Sequence, residues 1–163
     1  MSETGGGLIV CVGNSLAGDD RAGCAVHDML SRANLPGSVT LLRLDLAGLG
    51  LLDHLKGQHL LLIVDAVQLG KPPGTVHVLD WDEIPPSSGA VSIHGIGIRE
   101  AMGIAGELFA DQLPQCTRLI GIEGRSFSEL GAEMTAPVAA AIPRAVEEIE
   151  KQLKLAGLHD EAL

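Results

Sequence analysis

The sequence predicts an α/β fold in which a parallel sheet is covered by helices on both faces and one strand runs antiparallel at an edge. Apolar runs rich in β-branched residues alternate along the chain with stretches of helical period. Such alternation is typical of a parallel sheet. The linker QLGKPPG, between Val67 and Thr75, is too short for a crossover helix, and the fourth strand is therefore expected to be antiparallel.

The apolar runs predict five strands, and the periodic stretches between them predict four helices. The predicted strands are Leu8–Val12, Val39–Leu44, Leu60–Val67, Thr75–Leu79 and Arg118–Ile122. The predicted helices are Ala22–Leu30, Leu49–Leu55, Ile98–Phe109 and Pro137–Leu155. No internal repeat and no linker interrupts this series, so we expect one domain over residues 1–163.

The composition limits the classes of partner and the cellular compartment. The chain has 163 residues, of which 46% are hydrophobic and 2% aromatic, so the core must be aliphatic. A formal net charge of -10 and the lack of a basic stripe argue against nucleic acid as a partner. Three scattered cysteines indicate neither a disulfide framework nor a zinc site. The sequence has no apolar run of membrane-spanning length and no basic leader region, which predicts a cytoplasmic protein without a membrane partner.

Three ionisable residues lie near the carboxyl ends of predicted strands, where a parallel sheet binds its ligands. Asp20 follows the first strand in GNSLAGDD, Asp65 interrupts the apolar strand LLLIVDAV, and His94 lies in SIHGIGI before the third helix. Ligands of open parallel sheets bind at the carboxyl ends of the strands. Two carboxylates and one imidazole at that edge could hold a divalent transition metal.

Each of these residues also has a simpler interpretation. Asp19 or Asp20 could cap the helix that follows, Asp65 could accept hydrogen bonds from loop amides, and His94 could cap its helix. A dyad of the aspartic-protease kind, without its D-[ST]-G context, stays possible for the two strand-end carboxylates. The residues alone leave these alternatives open, whereas the spacings of a P-loop, a dinucleotide fingerprint and a G-x-S-x-G elbow are absent.

Five motifs occur in a fixed order from Leu8 to about Leu153. They are GNSLAGDD, LLLIVDAV with the following PPGTV, SIHGIG, LIGIEG and the helix opening TAPVAAAIPRAV. In this order and spacing the sequence resembles the nickel-iron hydrogenase maturation endopeptidases, which trim the hydrogenase large subunit.

The resemblance implies a three-layer α/β/α fold with a mixed, mostly parallel five-stranded sheet. It implies that Asp20, Asp65 and His94 are the metal-binding and catalytic residues. The metal would be nickel, supplied by or shared with the large-subunit precursor, from which the enzyme removes a C-terminal peptide. Two alternatives use the same residues: a nickel-sensing module that docks on the precursor without cleaving it, and a related peptidase with another substrate.

Four further residues are candidates for supporting the metal-binding residues, although surface roles are equally open for the last two: Asn14, Asp19, Asp45 and Glu123. The chain also departs from the family's usual residues at three places. Arg21 stands where Gly is frequent, the stretch DLAGLG replaces D-G-G-T, and Gly124 stands where Pro is common. These departures concern the choice of precursor and leave the three metal-binding candidates in place.

Overall fold

The computed structural model describes residues 5–14, 16–45, 49–84, 95–127 and 130–160, which form a five-stranded sheet. The strands are β1 (Gly7–Val12), β2 (Val39–Leu44), β3 (Leu60–Val67), β4 (Val76–Asp80) and β5 (Cys116–Glu123). Their order across the sheet is β2-β1-β3-β5-β4. The pairs β1–β2, β1–β3 and β3–β5 are parallel, and β4 is antiparallel to β5 at the edge. The mixed sheet and its antiparallel edge strand are as predicted.

Three α-helices accompany the sheet in the described ranges: α1 (Ala22–Ser31), α2 (Gly95–Leu108) and α3 (Ala136–Leu155). The predicted second helix is instead a 3-10 helix, Leu49–His54. The three-residue spacing of Leu49, Leu52 and Leu55 fits the three residues per turn of such a helix. Helix α2 begins before the predicted Ile98, because its opening glycine contributes no apolar periodicity. Within the described part of the chain, every helix falls short of the length and apolarity that a bilayer crossing requires.

The two faces of the sheet form two separate cores. Along β3, Leu62 and Val64 pack with α1 and α3, whereas Ile63 and Val67 pack with α2 and the 3-10 helix after β2. All eight positions of β3 are buried, as expected for a central parallel strand covered on both faces. The chain therefore forms the three-layer α/β/α arrangement that the sequence predicts.

Two glycines leave room for the connection between β1 and α1 to lie close to the strand. A Cβ atom at Gly23 would collide with the carbonyl oxygen of Val12. A Cβ atom at Gly13 would lie 2.5 Å from the carbonyl oxygen of Asp20. Helix α1 and the turn before it can approach β1 only because these side chains are absent. The turn that carries Asp20 is thereby folded back over the end of β1.

Strands β1, β2, β3 and β5 all end at one edge of the sheet, here called the carboxyl edge. The C-terminal end of α2 lies at the opposite edge. The N–H of Gly57, shortly before β3, donates to the carbonyl oxygen of Gln112 at 2.9 Å. The chain that leaves α2 therefore reaches the edge at which β3 begins. Because α2 ends there and packs along the sheet, its first turn lies nearer the carboxyl edge. His94 immediately precedes α2 in the sequence and lies outside the described residues.

Candidate active site

Asp65 is the carboxylate of the central strand β3. It is buried and faces the same side of the sheet as Ile63 and Val67, because side chains alternate along a strand. One of its oxygens, Oδ1, accepts a hydrogen bond of 2.8 Å from the N–H of Ala66. A buried carboxylate among aliphatic side chains is costly to desolvate, which distinguishes Asp65 from every other position of this strand.

Asp20 lies in the 3-10 helix Gly18–Arg21, here called the Asp20 turn, which follows β1. Its N–H donates to the carbonyl oxygen of Ala17 at 2.9 Å, and its own carbonyl oxygen accepts from the N–H of Asn14 at 3.0 Å. The side chain is buried, and the turn packs against β3. Two buried carboxylates, Asp20 and Asp65, thus lie on neighbouring elements at the carboxyl edge.

Asp19 is completely buried and accepts hydrogen bonds from three backbone N–H groups. Its Oδ2 accepts from Arg125 at 2.8 Å and from Ser126 at 3.1 Å. Its Oδ1 accepts from the N–H of Thr135 at 2.7 Å and from the hydroxyl of the same residue at 2.9 Å. Neither the Asp20 turn nor α1 has a side-chain cap, so the capping alternative does not describe Asp19. It joins the Asp20 turn to the chain that connects β5 with α3.

The surroundings of Asp19 keep it ionised. Burial raises the pKa of this carboxyl, but the hydrogen bonds from Arg125, Thr135 and Ser126 outweigh burial and hold the pKa below its usual value. A charged Asp19 stabilises the connection because each of its oxygens faces donors. A Cβ at Gly124 would lie 3.0 Å from the Cβ of Asp19, so this glycine leaves the room that the Asp19 side chain needs.

The other three supporting candidates have separate local roles. The Oδ1 of Asn14 accepts from the N–H of Leu16 at 2.9 Å, which shapes the start of the loop before the Asp20 turn. Asp45 is exposed, and its carboxylate lies 3.3 Å from Nε of Arg43 in a surface ion pair. Such a pair contributes little to stability.

Glu123 is buried at the end of β5 and braces the connection between β3 and β4. Its carboxylate accepts from the N–H of Leu69 at 2.8 Å and from the N–H of Lys71 at 2.7 Å. The Nε2 of His77 lies 3.7 Å from the same carboxylate. These contacts fix the backbone that leaves β3 two residues after Asp65, at the same edge of the sheet.

The two cysteines nearest these carboxylates, Cys11 and Cys24, stay in the protonated thiol form. Burial raises the pKa of the Cys11 thiol, and neighbouring Cys24, Asp28 and Asp65 raise it further. Burial is also the main reason why the pKa of the Cys24 thiol is raised. Both thiols are therefore protonated near neutral pH. Among the described residues, the candidate metal ligands at this part of the carboxyl edge are therefore carboxylate oxygens.

The described residues contain no group of three or more His, Cys, Asp and Glu side chains placed to hold a metal ion. Asp20 and Asp65 supply two oxygen donors, and the predicted third donor, His94, lies outside the described residues. Two carboxylates suit a partial site for a divalent ion, whose other positions must be filled by further groups.

The sequence profile of the hydrogenase maturation proteases matches residues 24–152. The chain belongs to this family. It is 31% identical to the hydrogenase expression/formation protein HupD of Rhizobium leguminosarum bv. viciae, over 93% of this chain and 75% of that protein. It is 30% identical to the hydrogenase expression/formation protein HoxM of Azotobacter vinelandii, over 85% of this chain and 68% of that protein.

Solved structures of the same family share the fold. The hydrogenase maturating endopeptidase HybD from E. coli matches with a TM-score of 0.82 and 27% identity, over 93% of this chain and 94% of that one. The [NiFe] hydrogenase maturation protease HybD from Thermococcus kodakarensis matches with a TM-score of 0.77 and 26% identity, over 90% and 98% of the two chains. The predicted family, fold and endopeptidase activity in hydrogenase maturation are confirmed.

Sequence reasoning missed Thr135 and the amides of Arg125 and Ser126. Thr135 precedes Ala and Pro at the start of α3, a pattern that marks a helix N-terminus. That pattern announces the helix but gives no indication that Thr135 binds a carboxylate more than 100 residues earlier in the chain.

Proposed function

We propose that this endopeptidase removes the C-terminal peptide of a nickel-loaded nickel-iron hydrogenase large-subunit precursor, and that Asp20, Asp65 and His94 carry the reaction. The observation that supports this most directly is the presence of two buried carboxylates, Asp20 and Asp65, on neighbouring elements at the carboxyl edge. Parallel sheets bind their ligands at this edge. The assignment of His94 rests on the family resemblance.

In this proposal nickel is part of the substrate. Asp20 and Asp65 provide two negative charges that attract the nickel-bearing end of the precursor, and His94 provides a neutral nitrogen. Nickel brought by the precursor would supply polarisation of the scissile carbonyl or of a water molecule. The residues of this chain hold the C-terminal segment in place, and the hydrogen bonds of Asp19 keep the Asp20 turn in a fixed position.

We further propose that this processing takes place in the cytoplasm. All three cysteines, Cys11, Cys24 and Cys116, are free thiols, and the first two are buried. Free thiols suit a reducing compartment.

The formal net charge of -10 favours a protein partner over nucleic acid.

Purified protein mixed with nickel-loaded precursor tests the function. We expect the intact mass of the precursor to fall by the mass of one C-terminal peptide, without any other protein present. The matched sample contains Asp65→Asn, which keeps the shape of the side chain and loses its charge. A precursor that binds the wild-type protein but keeps its full mass would contradict the proposal and favour the nickel-sensing module.

A further inference from the structure

The last residue of β5 and the three residues that follow it, 123–126, are here called the β5 exit. They contact both elements that carry the proposed metal-binding carboxylates, since Asp65 belongs to β3 and Asp20 to the Asp20 turn. Two side chains act together on one ion or one scissile bond only when their relative position is held within about 0.5 Å. The contacts of the β5 exit therefore bear on the geometry of the candidate site.

Glu123 and Gly124 bind the chain that leaves β3. The Glu123 carboxylate accepts from the N–H of Leu69 at 2.8 Å and from the N–H of Lys71 at 2.7 Å. The N–H of Gly124 donates to the carbonyl oxygen of Val67 at 3.0 Å, which continues the pairing with β3 beyond the end of β5. These bonds hold the end of β3 and the chain after it against the β5 exit.

The backbone of Glu123 binds the same connection farther along. Its N–H donates to the carbonyl oxygen of Thr75 at 2.9 Å, and its carbonyl oxygen accepts from the N–H of Gly74 at 2.7 Å. Backbone and side chain of this one residue therefore hold the connection between β3 and β4 both near its start and near its end.

Arg125 and Ser126 bind the Asp20 turn. Their N–H groups donate to Oδ2 of Asp19, at 2.8 Å and 3.1 Å. In return, the N–H of Asp19 donates to the carbonyl oxygen of Ser126 at 2.6 Å. Because Asp20 is the next residue, these bonds fix the point at which its side chain leaves the backbone.

Gly124 joins the two sets of bonds. It is the one residue between Glu123 and Arg125, so the two sets lie at most roughly 7 Å apart along the chain. A Cβ atom at Gly124 would lie 2.7 Å from the ring of Phe127 and 3.0 Å from the Cβ of Asp19, so the β5 exit is in close contact with the Asp20 turn. Because peptide units are planar, a shift of Glu123 is transmitted to Arg125 through only two stiff units.

We propose that Glu123 is a positioning residue, and that through the β5 exit it sets the separation between the side chains of Asp20 and Asp65. Its effect on cleavage rests on the proposed function. Glu123 is 2% exposed, so it acts through other groups and does not touch the precursor. Because a misplacement of about 1 Å costs on the order of 100-fold in rate, even a partial shift lowers kcat and leaves KM unchanged.

Two variants of Glu123 and one control test the proposal. Glu123→Leu is apolar, of similar volume, and removes both oxygen acceptors, whereas Glu123→Gln keeps one oxygen. Gln152→Leu is the matched control, because Gln152 is buried and its variant also loses hydrogen bonds, to Arg118 and Glu148. Gln152 lies near the end of α3 that is remote from the Asp20 turn.

Amide hydrogen exchange of the free proteins measures the link between the two elements. In Glu123→Leu we expect the N–H groups of Leu69 and Lys71 to exchange about 10-fold faster, and the N–H of Asp19, in the other element, to exchange faster by a similar factor. Glu123→Gln should show smaller changes in the same direction, and Gln152→Leu should show none at these N–H groups. Faster exchange at Leu69 with unchanged exchange at Asp19 would overturn the proposal.

Cleavage of the nickel-loaded precursor measures the consequence for the reaction. Below the melting temperatures of all variants, we expect the kcat of Glu123→Leu to fall about 10-fold or more at unchanged KM, and Gln152→Leu to cleave like the wild type. A wild-type kcat in Glu123→Leu, or a rise in KM alone, would overturn the proposal. If Glu123→Leu does not fold, Glu123→Gln decides both measurements. Failure of the wild-type protein to shorten the precursor would refute the proposed function separately, because the exchange measurement requires no cleavage.

Discussion

The carboxylate of Asp19 accepts a hydrogen bond of 2.7 Å from the N–H of Thr135, the residue that immediately precedes α3. This bond joins the turn after the first strand to the start of the last helix. Asp20 is the next residue in the chain. The position of one proposed metal-binding residue therefore depends on a contact between two distant parts of the sequence.

Asp19→Asn is expected to lower the free energy of unfolding by about 1–3 kcal/mol, because the new amide group faces N–H donors that the carboxylate satisfied. The hydrogen bonds lower the folded-state pKa of Asp19, so its stabilising effect is present above the ordinary carboxyl pKa and is lost as the pH falls through the folded-state value. Thermal melting at several pH values checks this. The melting temperature of the wild type should exceed that of the variant most at neutral pH, and this difference should narrow in acid. A difference that stays constant with pH would contradict the account.

Asp65→Asn is expected to reduce the rate of precursor cleavage by about 100-fold or more, the range expected for loss of a positioned catalytic group. The amide oxygen can still accept the hydrogen bond from Ala66, so the fold should survive. Asp45→Asn is the matched control, because this carboxylate is exposed and paired with Arg43. Rates and melting temperatures are measured on the same samples. If Asp65 only braced the backbone, its variant would melt earlier and cleave at a near-normal rate.

Gly23→Ala is expected to destabilise the protein by about 1–3 kcal/mol, because its Cβ would collide with the carbonyl oxygen of Val12. Gly103→Ala makes the same chemical change at an exposed position of α2 where the Cβ meets no atom within 4 Å, and it should stabilise the protein by about 0.5–1 kcal/mol. Denaturant unfolding compares the two variants. Equal changes in the free energy of unfolding at both positions would contradict the close approach of α1 to β1.

The free protein is expected to bind nickel weakly and to purify largely without it. Two carboxylates and one imidazole leave coordination positions that the precursor would fill. A protein that bound nickel tightly by itself could not distinguish loaded from empty precursor by a difference in affinity. Titration calorimetry at neutral pH measures this. A stoichiometric nickel complex that survives dialysis would show instead that the metal is resident.

Much of the fold follows from local pattern in the sequence. The runs around Leu62 and Ile120 show the continuous apolar character of strands buried on both faces, and the short linker after Val67 accounts for the antiparallel edge strand. The placement of Asp20 and Asp65 at one edge follows from the direction of parallel strands. The ends of elements were harder to predict, as at the start of α2, where glycine gives no periodic signal.

The supporting contacts of the site could not be predicted in the same way. The sequence offered Asp19 either as a helix cap or as a support for the metal-binding residues, and it named no partner for it. Its partner amides at Arg125 and Ser126 lie 106 and 107 residues later in the chain. Glu123 likewise binds amides 52 and 54 residues away. Local capping rules concern neighbours in sequence, whereas these bonds exist only after the strands have assembled.

The most direct measurement compares the cleavage of nickel-loaded and nickel-free forms of the same large-subunit precursor by the purified protein. Intact mass spectrometry over time follows the loss of the C-terminal peptide from each form, with Asp20→Asn and Asp65→Asn as inactive controls. We expect the wild-type protein to shorten the loaded precursor and to leave the empty one unchanged. Equal shortening of both forms, or cleavage by either carboxylate variant at the wild-type rate, would contradict it.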